Sequence, residues 1–471
     1  MSRIVNVSNR TPGKGPAAGG LAVALRKVLG EREGFWFGWS GKLTEQPSRD
    51  ARFEEVDGLR IAQIDLTRAD HHAYYAGFSN SILWPSFHLR LDLATIESHW
   101  YEGYRRVNQQ FARALQPLLK PDDIIWVHDY HLIPFASELR RLGVRNRIGF
   151  YLHIPFPTPD ALYAIPHHGE LMRDLSRYDL IGMQARRDVA AFTEFVEHQA
   201  PSTFGGQQMA AIDFSRTEID AFPIGSDPNA FSRLAASPAA TRMVHRMNRA
   251  IGDQRLILGV DRLDYSKGLP QRVEAYEKLL ANNARFRRNV HLLQVAPPSR
   301  DTIKEYQETS DSLDAICGRV MGHFAEPDWQ PLTYVKRAYG QPSLAGLYRL
   351  ARVGLVTPLR DGMNLVAHEF IGAQDPEDPG VLVLSRFAGA AEIFPEALLV
   401  NPFDTDETAE ALRMALDMAH DERRERWQAL LQAAQVNNVD DWAINFLDRL
   451  APGTSSNASA TRDILYLASV A

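Results

Sequence analysis

Short runs rich in Val, Ile and Leu recur along the chain at 3–9, 123–128, 147–153, 180–184, 218–224, 256–260, 290–295, 353–357 and 381–385. They are nearly continuous in apolar character rather than alternating, the pattern of strands covered on both faces in a parallel sheet. Between them lie stretches with apolar residues at helical spacing: 17–29, 93–119, 238–250, 302–317, 343–351, 364–374 and 405–435. In 93–119, Trp100, Tyr104, Val107, Phe111 and Leu115 make one stripe, which predicts a core-facing side. Strands alternating with helices predict a doubly wound α/β architecture. The strands fall into two groups. The turn at Ser226-Asp227-Pro228-Asn229 closes the first, and the second opens at Leu256. Two such sheets imply a cleft between domains, a favoured place for ligands.

Composition narrows the class. At 471 residues and 45% hydrophobic, the chain has material for two or three domains. Its 52 basic and 58 acidic residues leave a net charge of −6, which argues against a nucleic-acid partner. A compact anion site built from a few Arg and Lys is still compatible with that balance. The single cysteine, Cys317, cannot form an internal disulfide and reads as a small buried helix residue. The first strand pattern, MSRIVNVSNR, is too short for a signal segment, and no apolar run reaches the roughly 18–20 residues of a membrane span. A cytoplasmic protein with no membrane partner is expected. The small polar stretch from Pro452 to Ala460 predicts a mobile tail.

Three segments are candidates for anion binding. Ser8-Asn9-Arg10 ends the first strand and leads through a loop with Gly13, Gly15, Gly19 and Gly20 into an apolar pattern. Strand, glycine-rich loop and helix is the layout for an anion at a helix N-terminus, although the spacing is neither of the two standard nucleotide loops and a bare surface loop fits as well. Arg262 and Lys267 straddle the turn after 256–260, at the carboxyl end of a predicted parallel strand. They serve either phosphate oxygens or surface ion pairs with Asp261 and Asp264. After 353–357 comes Asp361-Gly362-Met363-Asn364, with Asn364 placed to cap a helix whose amides face the crevice. Glu369 either complements that helix's dipole or accepts two sugar hydroxyls.

Polar groups also gather at strand ends: His128-Asp129-Tyr130-His131 after one strand, His153 before the stiff Pro155, Pro157 and Pro159 loop after the next. No metal-ligand spacing accompanies them, so no metal is expected. Of the early aromatics, Trp39 and Tyr75 sit beside small polar neighbours, either as core or as loop aromatics facing a sugar ring.

Together these residues closely resemble the trehalose-6-phosphate synthases of glycosyltransferase family 20. The matching stretches are SNR (8–10), GGLA (19–22), WFGWSG (36–41), YYAGFSNSILWP (74–85), WVHDYHL (126–132), LHIPFP (152–157), DRLDYSKG (261–268), PSR (298–300), LVTPLRDGMNLVAHE (355–369) and GVLVLSRFAGAAE (380–392). The resemblance implies a GT-B fold: two Rossmann-like doubly wound parallel-sheet domains facing across a deep cleft. It implies an acceptor-binding domain at 1–235, a nucleotide-sugar domain at 236–435, and a last helix near 436–450 packing back on the first domain, with 451–471 as tail. It implies UDP-glucose as donor and glucose 6-phosphate as acceptor, no cofactor, and a homo-oligomer, dimer or tetramer.

By matching motif, Gly19, Gly20, Arg262, Lys267, Asn364 and the backbone of Leu365, Val366, Ala367, His368 and Glu369 hold the UDP moiety. Glu369 takes the ribose hydroxyls, and Asp361 holds hydroxyls of the transferred glucose. Arg10, Trp39, Tyr75, Asp129 and Arg300 bind glucose 6-phosphate, with both arginines on its phosphate. Trp84 and His153 fix acceptor orientation, and His153 sits beside the donor sugar. Arg262, Lys267, Asp361 and His153 form the catalytic set. Two departures stand out. The loop between Arg10 and Gly19 is shorter than in well-known bacterial members. Tyr339, at a position that meets uracil through its backbone, lacks the acidic and basic neighbours some members carry.

The family retains configuration at the donor's anomeric carbon. Double displacement needs a carboxylate close to the sugar, and the HIPFP loop (153–157) offers none. The resemblance implies front-face substitution instead, with the leaving phosphate taking the acceptor's proton. Three rivals remain: a glucosylglycerol-phosphate synthase sharing the donor site, a non-catalytic sugar-phosphate sensor on the same fold, and a dinucleotide dehydrogenase. The last lacks the GxGxxG fingerprint.

Overall fold

The computed structural model describes residues 2–13, 34–199, 202–204, 207–209, 211–300 and 303–452. The expected helix at 17–29, with Gly19 and Gly20, and the expected tail beyond 452 lie outside the described residues.

Sixteen strands are described: β1 Ile4–Arg10, β2 Gly34–Thr44, β3 Arg52–Val56, β4 Leu59–Thr67, β5 Ile124–His128, β6 Ile148–Tyr151, β7 Leu180–Met183, β8 Ser202–Phe204, β9 Gln207–Met209, β10 Glu218–Ala221, β11 Arg255–Val260, β12 Val290–Val295, β13 Leu332–Val335, β14 Val353–Val356, β15 Val381–Ser385 and β16 Leu398–Val400. They form an eight-stranded sheet in the order β10-β7-β6-β5-β1-β2-β4-β3, a six-stranded sheet in the order β13-β12-β11-β14-β15-β16, and the small β8-β9 hairpin. Every pairing in the two large sheets is parallel except β3 with β4. Strands such as β5, β6, β12 and β15 are buried along their whole length, as both-face coverage requires.

Strand order reverses between β1 and β5 in the first sheet and between β11 and β14 in the second. In open parallel sheets ligands bind outside the carboxyl ends of strands at such switch points. Arg10 ends β1, Asp129 follows β5, Arg262 and Lys267 follow β11, and Asp361 to Asn364 follow β14. Topology thus puts every one of these polar groups at a switch point.

The helix Ser98–Leu115 buries its predicted stripe: Tyr104, Val107, Phe111 and Leu115 are fully covered and Trp100 nearly so. Segment 405–435 is two helices, Thr405–Asp417 and His420–Val436, because Met418 and Ala419 are extended. Its apolar periodicity runs through without Gly or Pro, so sequence shows no break. The first piece buries Leu412, Ala415 and Leu416 with Val353, Leu355 and Val383 of the second sheet, while Trp427 of the second reaches the Ile371 carbonyl at 3.0 Å. The two aromatics left open between core and loop are in regular structure: Trp39 lies within β2, and Tyr75 in the π-helical stretch His72–Leu83.

The last helix, Val439–Leu450, packs on the first sheet. Phe446 covers Gly149 and Gly182, where any Cβ would come within 2.8 and 2.7 Å of its ring. Trp442 and Phe446 lie 4.9 Å from the Trp126 ring. Arg147 donates to the Leu450 carbonyl at 3.1 Å, and Arg449 pairs with Glu218. Among the described residues no helix is long and apolar enough to cross a membrane. Phe446→Ala empties a slot that glycines on two strands leave open for one ring. We expect a loss of about 3–5 kcal/mol, read from the shift in urea midpoint.

Candidate active site between the two sheets

The first wall of the cleft is aromatic and cationic. The Arg10 guanidinium lies 5.5 Å from the Trp39 ring. Trp39 is held in place by its indole N–H, which donates to the Lys42 carbonyl at 2.8 Å. Next to it come His71, 4.9 Å away, then Tyr75 at 5.2 Å from His71, then His131 stacked 5.7 Å behind Tyr75. Further along, Arg300, from the loop after β12 of the second sheet, lies over Trp84, its guanidinium 3.9 Å from the ring centre. Arg300 is fixed from several sides: it donates to Tyr130 Oη at 3.2 Å and to Tyr306 Oη, and pairs with Asp264 at 3.4 Å. Its backbone is left-handed, with φ of 49°. Two buried donors, Arg300 Nε and Trp84 Nε1, have no partner among the described residues. An unpaired buried donor costs about 1–3 kcal/mol, a cost that a bound oxygen would relieve.

Asp129 stands at the switch point with φ of 77° and ψ of 161°, a region costly for any residue with a side chain. Its Oδ1 accepts the His153 backbone N–H at 3.3 Å. Burial pushes its carboxyl up to about 6, while Arg300 and Arg262 among others pull it back. Arg262, from the loop after β11 of the second sheet, is thus close enough to act electrostatically on this residue of the first.

His153 heads a chain of side-chain bonds the sequence reading missed. Gln184 Oε1 accepts the Ile224 backbone N–H at 3.1 Å, which fixes the amide and turns its Nε2 to His153 Nδ1 at 3.5 Å. His153 Nε2 then carries the proton and donates to His128 Nδ1 at 3.0 Å, and His128 Nε2 donates to Asn6 Oδ1 at 2.6 Å. Burial pushes His153 down to about 3 and His128 well below its ordinary range. Both nitrogens of His153 are therefore committed, and the ring stays neutral. Asn6 and Gln184 are single polar residues at or beside apolar strands, the one signal that would have found them.

The second wall carries the donor candidates. Arg262 is exposed and makes no hydrogen bond or ion pair among the described residues. Lys267 Nζ is 2.5 Å from Asp361 Oδ2, and Asn364 Nδ2 donates to the same oxygen at 3.1 Å. The expected surface partners of these cations are taken by others: Asp261 by Arg272, Asp264 by Arg300. Asn364, left-handed at φ 79°, accepts the Val366 N–H with Oδ1 and so caps the helix Leu365–Ala373. Glu369 accepts from Tyr348 Oη at 3.0 Å, and burial pushes its carboxyl up to about 7. The His368 ring is fully buried against Phe394 with neither nitrogen bonded, so only its backbone is available to a ligand. Tyr339 is half-buried, its hydroxyl accepting from the Arg337 guanidinium at 3.1 Å. Among the described residues no three His, Cys, Asp or Glu side chains group to share a metal ion.

The walls are held together by backbone contacts. A Cβ on Gly362 would lie 2.2 Å from the His153 carbonyl oxygen. Arg360 donates to the Phe156 carbonyl at 2.8 Å, Arg187 to those of Arg386 and Phe387 at 2.9 and 3.0 Å, and Glu392 accepts the backbone N–H groups of Arg186 and Arg187. Glycine at 268, with φ of 63°, lets that loop pass the Thr357 carbonyl.

A cationic, aromatic wall faces a capped helix N-terminus and a Lys-Asp pair across this contact, and the model of glycosyltransferase family 20 matches residues 8–452. The chain belongs to glycosyltransferase family 20. It is 44% identical over 460 residues to the trehalose-6-phosphate synthase of Sodalis glossinidius, covering 96% of each chain. It is similar to the solved structure of a UDP-forming α,α-trehalose-phosphate synthase from Burkholderia xenovorans in complex with glucose-6-phosphate, at TM-score 0.89 and 46% identity, covering 95% of this chain and 100% of that one. A family structure from E. coli bound with UDP-2-fluoro glucose matches at TM-score 0.87 and 41% identity, covering 95% and 99%. Both sheets have the GT-B arrangement of such structures.

Gly362→Ala puts a methyl group where the His153 carbonyl lies. Transfer activity should fall at least about tenfold, with circular dichroism unchanged, because roughly an ångström of misplacement costs that much or more. Asp129→Asn separates stability from function. An unfolded aspartate titrates near ~4, so the folded chain holds this proton more tightly. The group's stabilisation is full below that pH and is lost as pH rises through about 6. The variant should melt higher than wild type near pH ~7.5, the gap closing towards pH ~4, while turnover drops.

Proposed function

We propose that this chain transfers glucose from UDP-glucose to glucose 6-phosphate, releasing UDP and α,α-trehalose 6-phosphate with retention at the anomeric carbon. The observation that carries this reading is the meeting of two cation sets across one gap. Arg10 lies on the first wall with Trp39 and Tyr75, and Arg300 reaches over to Trp84 of that wall from the loop after β12; Arg262 and Lys267 lie on the second wall beside a helix N-terminus. Each set suits one phosphate-bearing substrate. The relatives named for a glucose-6-phosphate complex and a UDP-2-fluoro glucose complex support the two assignments.

The donor diphosphate lies against Arg262, Lys267 and the backbone amides of Leu365 to Glu369, and the matching motif assigns Gly19 and Gly20 to it as well. Glu369 accepts the ribose hydroxyls. Asp361, steadied by Lys267 and Asn364, holds hydroxyls of the transferred glucose, and the Tyr339 backbone meets the base. Arg10, Trp39, Tyr75, Asp129 and Arg300 hold glucose 6-phosphate, with Trp84 and the locked His153 setting its orientation. No carboxylate nucleophile is assigned. The anomeric carbon–phosphate bond breaks as the acceptor hydroxyl arrives on the same face, and its proton passes to the departing phosphate oxygen. Arg262, Lys267 and the helix amides stabilise the charge growing on that phosphate. The acceptor's phosphate is bound remote from the reacting hydroxyl and serves to orient it.

The protein is offered UDP-glucose with glucose 6-phosphate, fructose 6-phosphate or glycerol 3-phosphate, and UDP release is followed. Release with the first alone is expected; release with glycerol 3-phosphate alone replaces this reading by the glucosylglycerol-phosphate one, and release with none leaves the sensor reading. Arg262→Ala should lower turnover by about 100-fold or more, as removal of an oxyanion donor does; near-normal turnover would refute its role.

A further inference from the structure

His71 lies within the acceptor wall yet belongs to none of the matching motif stretches. Its ring is between Trp39, at 4.9 Å, and Tyr75, at 5.2 Å, and the other face of the Trp39 neighbourhood is taken by Arg10. It sits in the short helix Arg68–His71, one turn before Tyr75, so both side chains fall on one helical side. The ring is half-buried, and neither nitrogen makes a hydrogen bond among the described residues. Neighbouring carboxylates are not turned to it. Both oxygens of Asp70 are engaged by Arg106 and Thr67, and both of Asp65 by Ser40 and Arg52. The charges that bear on His71 are Arg10, from β1, and His72, on its own helix.

Resting on the proposed acceptor reading, we infer that His71 is a further phosphate ligand for glucose 6-phosphate, donating from its imidazole to a phosphate oxygen beside Arg10. Without the substrate, burial, His72 and Arg10 all push its protonation below the ordinary histidine range, so the ring is neutral. A phosphate dianion reverses the balance at this spot, since it adds two negative charges where only cations were near. Acceptor binding therefore takes up a proton at His71. Its share of the affinity is full at low pH and fades as pH rises through the histidine's value in the complex. The substrate's own second ionisation, near ~6, acts in the opposite direction and is common to wild type and variant.

Glucose 6-phosphate is titrated calorimetrically into the full chain and into His71→Gln, in two buffers of different ionisation enthalpy near pH ~7. KM values for both substrates are measured from pH ~6.5 to ~8.5. Wild type should take up more protons than the variant. The variant's KM for glucose 6-phosphate should be about tenfold higher at the low end and converge with wild type at the high end, with the KM for UDP-glucose unmoved. Equal proton uptake, or KM curves that stay parallel, overturns the role of His71 while leaving the acceptor reading intact. Absence of any glucose 6-phosphate binding to wild type overturns the acceptor reading and this inference with it.

Discussion

The Gly362 backbone rests against the His153 carbonyl, and everything else in the site is arranged around that contact. It joins the loop after β14 to the loop after β6, so it sets the distance between two sheets whose switch points carry Arg10, Asp129, Arg262, Lys267 and Asp361. A side chain there would hold the walls apart. The surrounding bonds, from Arg360, Arg187 and Glu392, go to backbone groups rather than to charged side chains. Such contacts fix a register without adding a buried ion pair, whose desolvation would offset much of its attraction.

Given that spacing, charge decides what the gap can hold. Structural carboxylates pin the cations that must not move: Asp264 holds Arg300, and Asp261 holds Arg272. Among the described residues Arg262 has no counter-ion, and Lys267 shares Asp361 with Asn364. Cations thus line both walls of the cleft, and among the described residues the donors Arg300 Nε and Trp84 Nε1 have no hydrogen-bond partner. Anions with many oxygens meet both needs, which is why two phosphate-bearing sugars fit better than a neutral pair would.

Most of the parallel framework was legible, because strands covered on two faces must be apolar throughout and β5, β12 and β15 are. The strands that escaped have reasons. β2 mixes Trp, Phe and polar residues, β4 interrupts its apolar run with Arg60, Gln63 and Asp65, β3 is an antiparallel edge, and β13 and β16 are short with partly exposed positions. Site residues were legible where polar groups end apolar strands, as at Arg10, Asp129, Arg262 and Asp361. Those missed, namely Asn6, His128 and Gln184 as a linked set and His71 on a four-residue helix, act through partners far apart in sequence. No local pattern records such partnerships.

The linked set explains why a histidine can stand at the centre of a transferase without moving a proton. Its direction is fixed at one end by a backbone N–H, from Ile224, which can only donate. Reversing any one bond would leave two donors or two acceptors facing each other, and burial opposes the charged alternative at both rings. The imidazole of His153 is therefore a rigid spacer whose own backbone N–H anchors Asp129 and whose carbonyl meets Gly362. One residue thus ties the first wall to the second. Proton transfer must then fall to the substrates themselves, as front-face departure of a phosphate oxygen beside the incoming hydroxyl provides.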